Sequence, residues 1–402
     1  MSVVGSAFAV LAVASVGLAP HTATADAQSQ QWYLSAMKAD AMWKVSTGKG
    51  VKVAVIDTGV NPDTSSLKGQ VLADEVPEAL AHKATEDYVG HGTTMAELIA
   101  GTGSGGGLKG LAPGAKIVPY RIALTGPDHP TKVENAPDVA RVIRAVADTD
   151  VKIMSMSFSV DAEDPEERAA IEYAHSQGKL MFAGAGNDAE KHSPIGYPAA
   201  YPFVVGVAAT DESGKAAKFS EHGNYVDLAA PGLNMPGWCD ETFRSYCDKG
   251  GTSAATALAS ASAALVWSAH PDWSANQVLA GLIDTAGRDW AKDDPSTYLG
   301  YGLIRPRKVL EDADFNPGPA NADPLAKENA TGVTDDEDGP VSASEPPSTE
   351  ASAEASDDGA SAVASDTDTS DDTTLRVALG VVAAALVIGG GAFAVIRSRR
   401  GA

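Results

Sequence analysis

The chain has 402 residues, enough for one large domain or two ordinary ones, and is 44% hydrophobic, enough for a sizeable core. Its formal net charge is −23, but residues 311–374 hold 18 Asp and Glu against one Lys (Lys327), so the acidity belongs mainly to one segment. Nothing in the chain is basic enough to suggest nucleic acid as a partner.

Residues 3–19 are apolar and small, and two small-x-small sites follow, Ala23-Thr24-Ala25 and Ala25-Asp26-Ala27. This predicts an export signal over 1–27. No Lys or Arg precedes the apolar run. An atypical signal, a start upstream of Met1 and an uncleaved anchor therefore stay open. Residues 28–310 read as one globular unit. "GVKVAVIDTGV" (50–60) is a β-branched strand ending in a turn, and "GHGTTMAELIAG" (90–101) a turn followed by a helix. "AKIVPYRIA" (115–123) is another strand. Residues 137–159 and 166–187 each read as helix then strand, 203–210 as a further strand, and 253–269 as a long helix. Strands alternating with helices imply an α/β unit of three layers, α/β/α, with a mostly parallel central sheet.

Cys239 and Cys247 are the only cysteines. Outside the cytoplasm, a pair so closely spaced predicts a disulfide, the alternative being two free thiols. Closing the loop would stabilise the fold by about 2–3 kcal/mol. Residues 311–374 are rich in Asp, Glu, Ser, Ala, Thr and Pro and nearly lack aromatics. Such a segment cannot bury enough apolar surface to fold, and reads as an acidic linker. A single transmembrane helix is expected over 375–396, where 377–396 carry no charge. Arg397, Arg399 and Arg400 follow in the tail 397–402. The positive-inside rule puts them in the cytoplasm, and the folded unit outside.

Candidate functional groups lie where an open parallel sheet gathers them, at the carboxyl ends of strands. Asp57 ends "VAVID"; on its own it would read as a turn residue. His91 sits between glycines at the mouth of the next helix; alone it would read as a surface or capping residue. Ser253 heads the helix after "GGTS"; alone it would read as an N-cap. Together they supply a nucleophile, a base near neutrality, and a carboxylate that fixes the base's tautomer. Asn187, after the strand "MFAGAG", could donate its amide to an oxyanion together with the Ser253 backbone N–H. Read alone, it is a turn Asn.

The segments "VAVIDTGV", "GHGTTMAELIAG", "MFAGAGN" and "GGTSAATA", in this order, resemble the four signatures of the subtilisin-like serine proteases. The likeness covers roughly residues 30–310. It implies a triad of Asp57, His91 and Ser253, an oxyanion-hole side chain at Asn187, and hydrolysis of peptide bonds in a protein or peptide substrate through an acyl-enzyme. It also implies a substrate groove lined by Ser157, Phe158, Ser159, Gly184 and Gly186, on which a peptide adds as an extra strand. A narrower likeness, in the opening residues 30–60, in "YLGYGLIRPRKVL" (298–310), and in the linker and final span, is to the mycosins. These are membrane-anchored subtilases of type VII secretion in actinobacteria. That likeness implies a cell-membrane protein with an extracytoplasmic catalytic domain and secretion-membrane components as partners.

The chain departs from the pattern at Ala257, where the family has Pro, and at Ser155, where it has Asn. The cysteine expected just before the His motif is missing, and little chain separates the signal from the domain. No metal or other cofactor is expected for catalysis. Asp211 with Glu212, or Asp293 with Asp294, are the residues to consider for structural calcium, without a regular calcium-loop spacing. Two other readings are a scaffold or clamp in a secretion complex, with proteolysis secondary, and an esterase. The esterase reading would need Gly-x-Ser-x-Gly and the order Ser, Asp, His, and Ser253 has neither.

Overall fold

The computed structural model describes residues 24–124, 136–192 and 194–331. In chain order these form α1 (Thr24–Ser29), α2 (Trp32–Ala36), α3 (Ala39–Met42), β1 (Lys52–Asp57), α4 (His91–Ala100), β2 (Lys116–Arg121) and α5 (Val139–Ala147). They continue with β3 (Ile153–Met156), α6 (Pro165–Ser176), β4 (Leu180–Gly184), β5 (Val204–Thr210) and β6 (Leu228–Pro231). A hairpin of β7 (Pro236–Trp238) and β8 (Tyr246–Asp248) precedes α7 (Thr252–Ala269), α8 (Ala275–Asp284), α9 (Pro306–Glu311) and α10 (Ala326–Thr331).

Six strands pair in parallel in the order β2-β1-β3-β4-β5-β6. Alternation along each strand feeds two cores. On β1, Val53 and Val55 join α4 and α7 on one face, while Ala54 and Ile56 join α5 and α6 on the other. On β4, Leu180 and Phe182 take the first face, Met181 and Ala183 the second. This is the layered α/β arrangement expected from the sequence. Helix α7 is buried almost all round, and its Ala and Ser residues let it lie close across β3 to β6. Two of its buried hydroxyls turn back on the helix, Thr256 to the Thr252 carbonyl at 2.8 Å and Ser262 to Leu258 at 2.7 Å.

The expected disulfide Cys239–Cys247 closes the β7–β8 hairpin, with a Cα–Cα distance of 5.3 Å. Residues 27–45 form an arm packed on the domain: Tyr33 and Met42 are fully buried, and Gln28 Nε2 donates to Gly103 O at 2.8 Å. Ala27 is buried too, so cleavage after Ala25 keeps it with the fold, and cleavage after Ala27 removes it.

The folded unit does not stop at 310. Within the segment expected as linker, Leu325 is buried and Phe315 packs near Trp273. Gln277 Nε2 donates to Gly318 O, and the Phe203 N–H donates to Asn329 Oδ1, each at 2.8 Å. Two apolar anchors and backbone-directed bonds hold residues 312–331, despite their acidic composition. Among the described residues no helix is long and apolar enough to cross a membrane. The expected span 375–396, the linker beyond 331 and residues 1–23 lie outside the described residues.

Candidate active site

Asp57 is the last residue of β1 and is fully buried. Its Oδ1 accepts from the Thr58 N–H at 2.7 Å and lies 2.7 Å from His91 Nδ1. His91 is the first residue of α4, its side chain 25% exposed. The close approach of that turn to β1 needs glycine: a Cβ on Gly92 would lie 2.2 Å from the Gly59 carbonyl oxygen. Burial of the imidazole opposes its charged form, but the Asp57 carboxylate and its hydrogen bond, with Asp87 behind, outweigh this and raise the His91 pKa.

Ser253 is the second residue of α7, where backbone N–H groups have no acceptor within the helix. Its Oγ donates to the Ser157 carbonyl at 2.9 Å, and Ser157 Oγ donates back to the Ser253 carbonyl at 3.2 Å. The start of α7 is thereby fixed beside the chain that leaves β3. The neighbouring Thr252 ties in the next strand. Its N–H donates to Asn187 Oδ1 at 2.9 Å, with Thr252 Oγ1 3.1 Å from the same oxygen. The Asn187 side chain is thus held by its oxygen, leaving its amide nitrogen as the outward donor on an exposed residue. Helices α4 and α7 pack against each other. Asp57, His91, Ser253 and Asn187 therefore share one place, the carboxyl edge of β1, β3 and β4.

The remaining expected residues flank it. Ser157 and Phe158 are buried, and Ser159 Oγ is buried with no hydrogen-bond partner among the described residues. Gly184 ends β4, and the Gly186 N–H donates to Thr252 Oγ1 at 3.3 Å. Among the described residues no three His, Cys, Asp or Glu side chains converge as metal ligands. Asp211, considered for calcium, uses Oδ1 to hold its own turn through the Ser213 and Lys215 N–H groups at 2.8 and 3.0 Å. Of three other histidines, His175 and His270 stack on Phe203 and Trp273, and His222 packs at a tilt against Tyr298.

Nothing in the sequence marks out Asp87, yet it organises the His91 turn. Its buried carboxylate accepts from the Gly90 and Thr93 N–H groups, each at 2.8 Å, from Thr93 Oγ1 at 2.6 Å and from Thr58 Oγ1 at 2.8 Å. The available signal was an Asp ahead of a glycine-bearing turn, which is too common to single out. Glu97, six residues after His91 on α4 and fully buried, was equally unmarked. It accepts from Thr64 Oγ1 at 2.7 Å and Tyr246 OH at 2.8 Å, joining the His helix to the disulfide hairpin.

A carboxylate–imidazole pair and a serine in the first turn of a helix, both at the edge of a parallel sheet, define a serine hydrolase site. The model of the subtilase family matches residues 48–302, and the chain belongs to that family of serine peptidases. It is 33% identical over 263 residues to subtilisin BL of Lederbergia lenta, covering 65% of this chain and 92% of that protein. It is 32% identical to subtilisin E of Bacillus subtilis (strain 168), covering 71% and 72%. Among solved structures it resembles the MycP3 protease from the type VII (ESX-3) secretion system, with TM-score 0.58, 27% identity, and 70% and 88% of the two chains covered. It also resembles MycP1 from Mycobacterium smegmatis, with TM-score 0.59, 26% identity, and 77% and 91% covered. The likeness to the mycosins expected from the sequence is thus found in the structure.

Proposed function

We propose that the chain is a serine endopeptidase, tethered outside the cell by residues 375–396 and acting with a type VII secretion machinery. The observation that carries the catalytic assignment is the 2.7 Å contact between Asp57 Oδ1 and His91 Nδ1, on the sheet edge where Ser253 begins α7. With Nδ1 held by the carboxylate, Nε2 is left as the base. On substrate binding the Ser253 hydroxyl turns from the Ser157 carbonyl toward Nε2 and gives up its proton as Oγ bonds to the scissile carbon. The carbonyl oxygen takes the negative charge, facing the Asn187 amide and the Ser253 N–H. Collapse breaks the C–N bond, and His91 protonates the departing amine. Water, deprotonated by the same imidazole, then releases the acyl group.

The tether rests on the uncharged run 377–396 and the arginines after it. The secretion link rests on the likeness to MycP3 and MycP1. The test is peptide hydrolysis by the purified chain beside Ser253→Ala. Turnover by the parent alone supports the assignment, and equal turnover by both defeats it. A second reading, a scaffold within a secretion complex, is favoured by the resting engagement of the Ser253 hydroxyl with Ser157. It predicts that the chain's host still secretes when it carries Ser253→Ala and fails to when the whole protein is deleted.

A further inference from the structure

Asn187 is held from two sides. Thr252 takes its side chain. The other side belongs to one residue of the β5–β6 connection, Glu221, whose side chain the reaction itself does not use. The Glu221 N–H donates to the Gly186 carbonyl at 3.0 Å, and Glu221 Oε1 accepts from the Asp188 N–H at 3.0 Å. These are the two peptide groups that flank the Asn187 Cα. A single residue therefore fixes both peptide planes from which the amide side chain projects. The contact is close: a Cβ on Gly186 would lie 2.0 Å from Glu221 Oε2, and Gly186 has φ +121°, so this arrangement requires glycine. One residue further on, the Ala189 N–H donates to the Phe219 carbonyl at 3.2 Å, so the connection follows the loop past its tip.

Glu221 is 3% exposed, and its Oε2 is buried with no hydrogen-bond partner among the described residues. Such a carboxyl is costly to bury for stability alone. Burial pushes its pKa up to about 7 against the pull of the Asp188 N–H, and the carboxylates of Asp161 and Asp188 push the same way. Asp188 is itself paired with Lys191 at 2.7 Å, and the Tyr225 hydroxyl lies nearby, 3.2 Å from the Pro194 carbonyl.

We propose that Glu221 is a positioning residue for the oxyanion hole, holding the Gly186–Asp188 turn so that the Asn187 amide meets the charge that develops on the substrate carbonyl. The proposal rests on the peptidase reading above. Because such a donor acts in the transition state, loss of the clamp lowers kcat and leaves KM in place.

The test uses the full chain with Glu221→Asp, whose shorter arm does not reach the Asp188 N–H, Glu221→Ala, Glu221→Gln, whose amide oxygen still accepts, and Asn187→Ala. Asp and Ala variants are expected to lose about tenfold in kcat with KM unchanged, and the Gln variant to stay near the parent. In the Asn187→Ala background the Glu221 substitutions are expected to cost nothing further, because the group they position is gone. Parent kcat in a folded Glu221→Asp variant, or the same penalty with and without Asn187, overturns the proposal. A readout independent of turnover separates this from failure of the peptidase reading. The Asn187 side-chain amide NMR signal is expected to move in the Asp and Ala variants and hold in the Gln variant. An unmoved signal overturns the positioning role even if the parent cleaves nothing.

Discussion

Asp57 governs the base twice, by fixing which nitrogen of His91 carries the proton and by setting the energy of the charged ring. The second effect has a sign that follows from burial. The desolvated ring alone would titrate below its ordinary value, and the carboxylate lifts it above. A general base works neutral, so activity is expected to rise with pH through a midpoint above 6.5. Asp57→Asn leaves the burial and removes the charge. The His91 titration, followed by NMR, is expected to move to lower pH, and kcat to fall by about 10⁴, the magnitude being that of another serine protease class. A His91 titration unchanged in this variant would contradict the pairing. The four groups Asp57, His91, Asn187 and Ser253 were legible in the sequence because each closes a strongly patterned strand or opens a helix. Asp87 and Glu221 were not. Their roles come from accepting backbone N–H groups of a distant or turning chain, and a carboxylate that does so looks like any surface acid in a linear reading.

Helix α4 carries His91 at its start and Glu97 further along, and the hairpin bonds to the helix at Thr94 and Glu97. The Trp238 N–H donates to Thr94 Oγ1 at 2.9 Å, and Tyr246 OH to Glu97. Burial pushes the Glu97 pKa up from 4.5 to about 7, although Thr64 and Tyr246 stabilise the ionised form. As pH rises from 4.5 toward 7 the unfolded chain releases this proton first, while the folded chain keeps it. The stability this group contributes is therefore full below the unfolded pKa and is lost, by about 3 kcal/mol in all, by the time pH passes its folded value. Glu97→Gln keeps the acceptor oxygen and removes the titration. The Tm of this variant relative to the parent is expected to climb between pH 5 and pH 8, measured by calorimetry. A constant difference would show that Glu97 is not buried as described. At this scale the strands and helices of the central sheet other than β6 were legible up to α7, whereas α8, though it opens on the Ser274–Gln277 capping box, was not singled out. The three-residue strands β7 and β8 and the four-residue β6, with Pro, Gly or Ala in β6 and β7, carry too little periodicity to be read.

Across the whole molecule the subtilase core is closed by chain at both ends, the arm 27–45 on one side and residues 312–331 after the core on the other. The second of these is hidden in the composition of 311–374, where the anchors Phe315 and Leu325 stand among many acids. A piece ending at 331 is expected to have a higher Tm than one ending at 310, since the shorter piece bares Trp273 and loses the Tyr301–Glu328 contact. Equal Tm values would return 311–331 to the linker. Beyond this core, the tether and the secretion link rest on residue composition and on the likeness to mycosins. The chemistry rests on the core itself, and it is the claim to test first. The measurement is labelling of the chain by a fluorophosphonate probe, which reacts with a serine activated by its base, beside Ser253→Ala and His91→Ala. The account predicts label on the parent and none on either variant. A folded parent that takes no label, or a Ser253→Ala variant that still does, would contradict it.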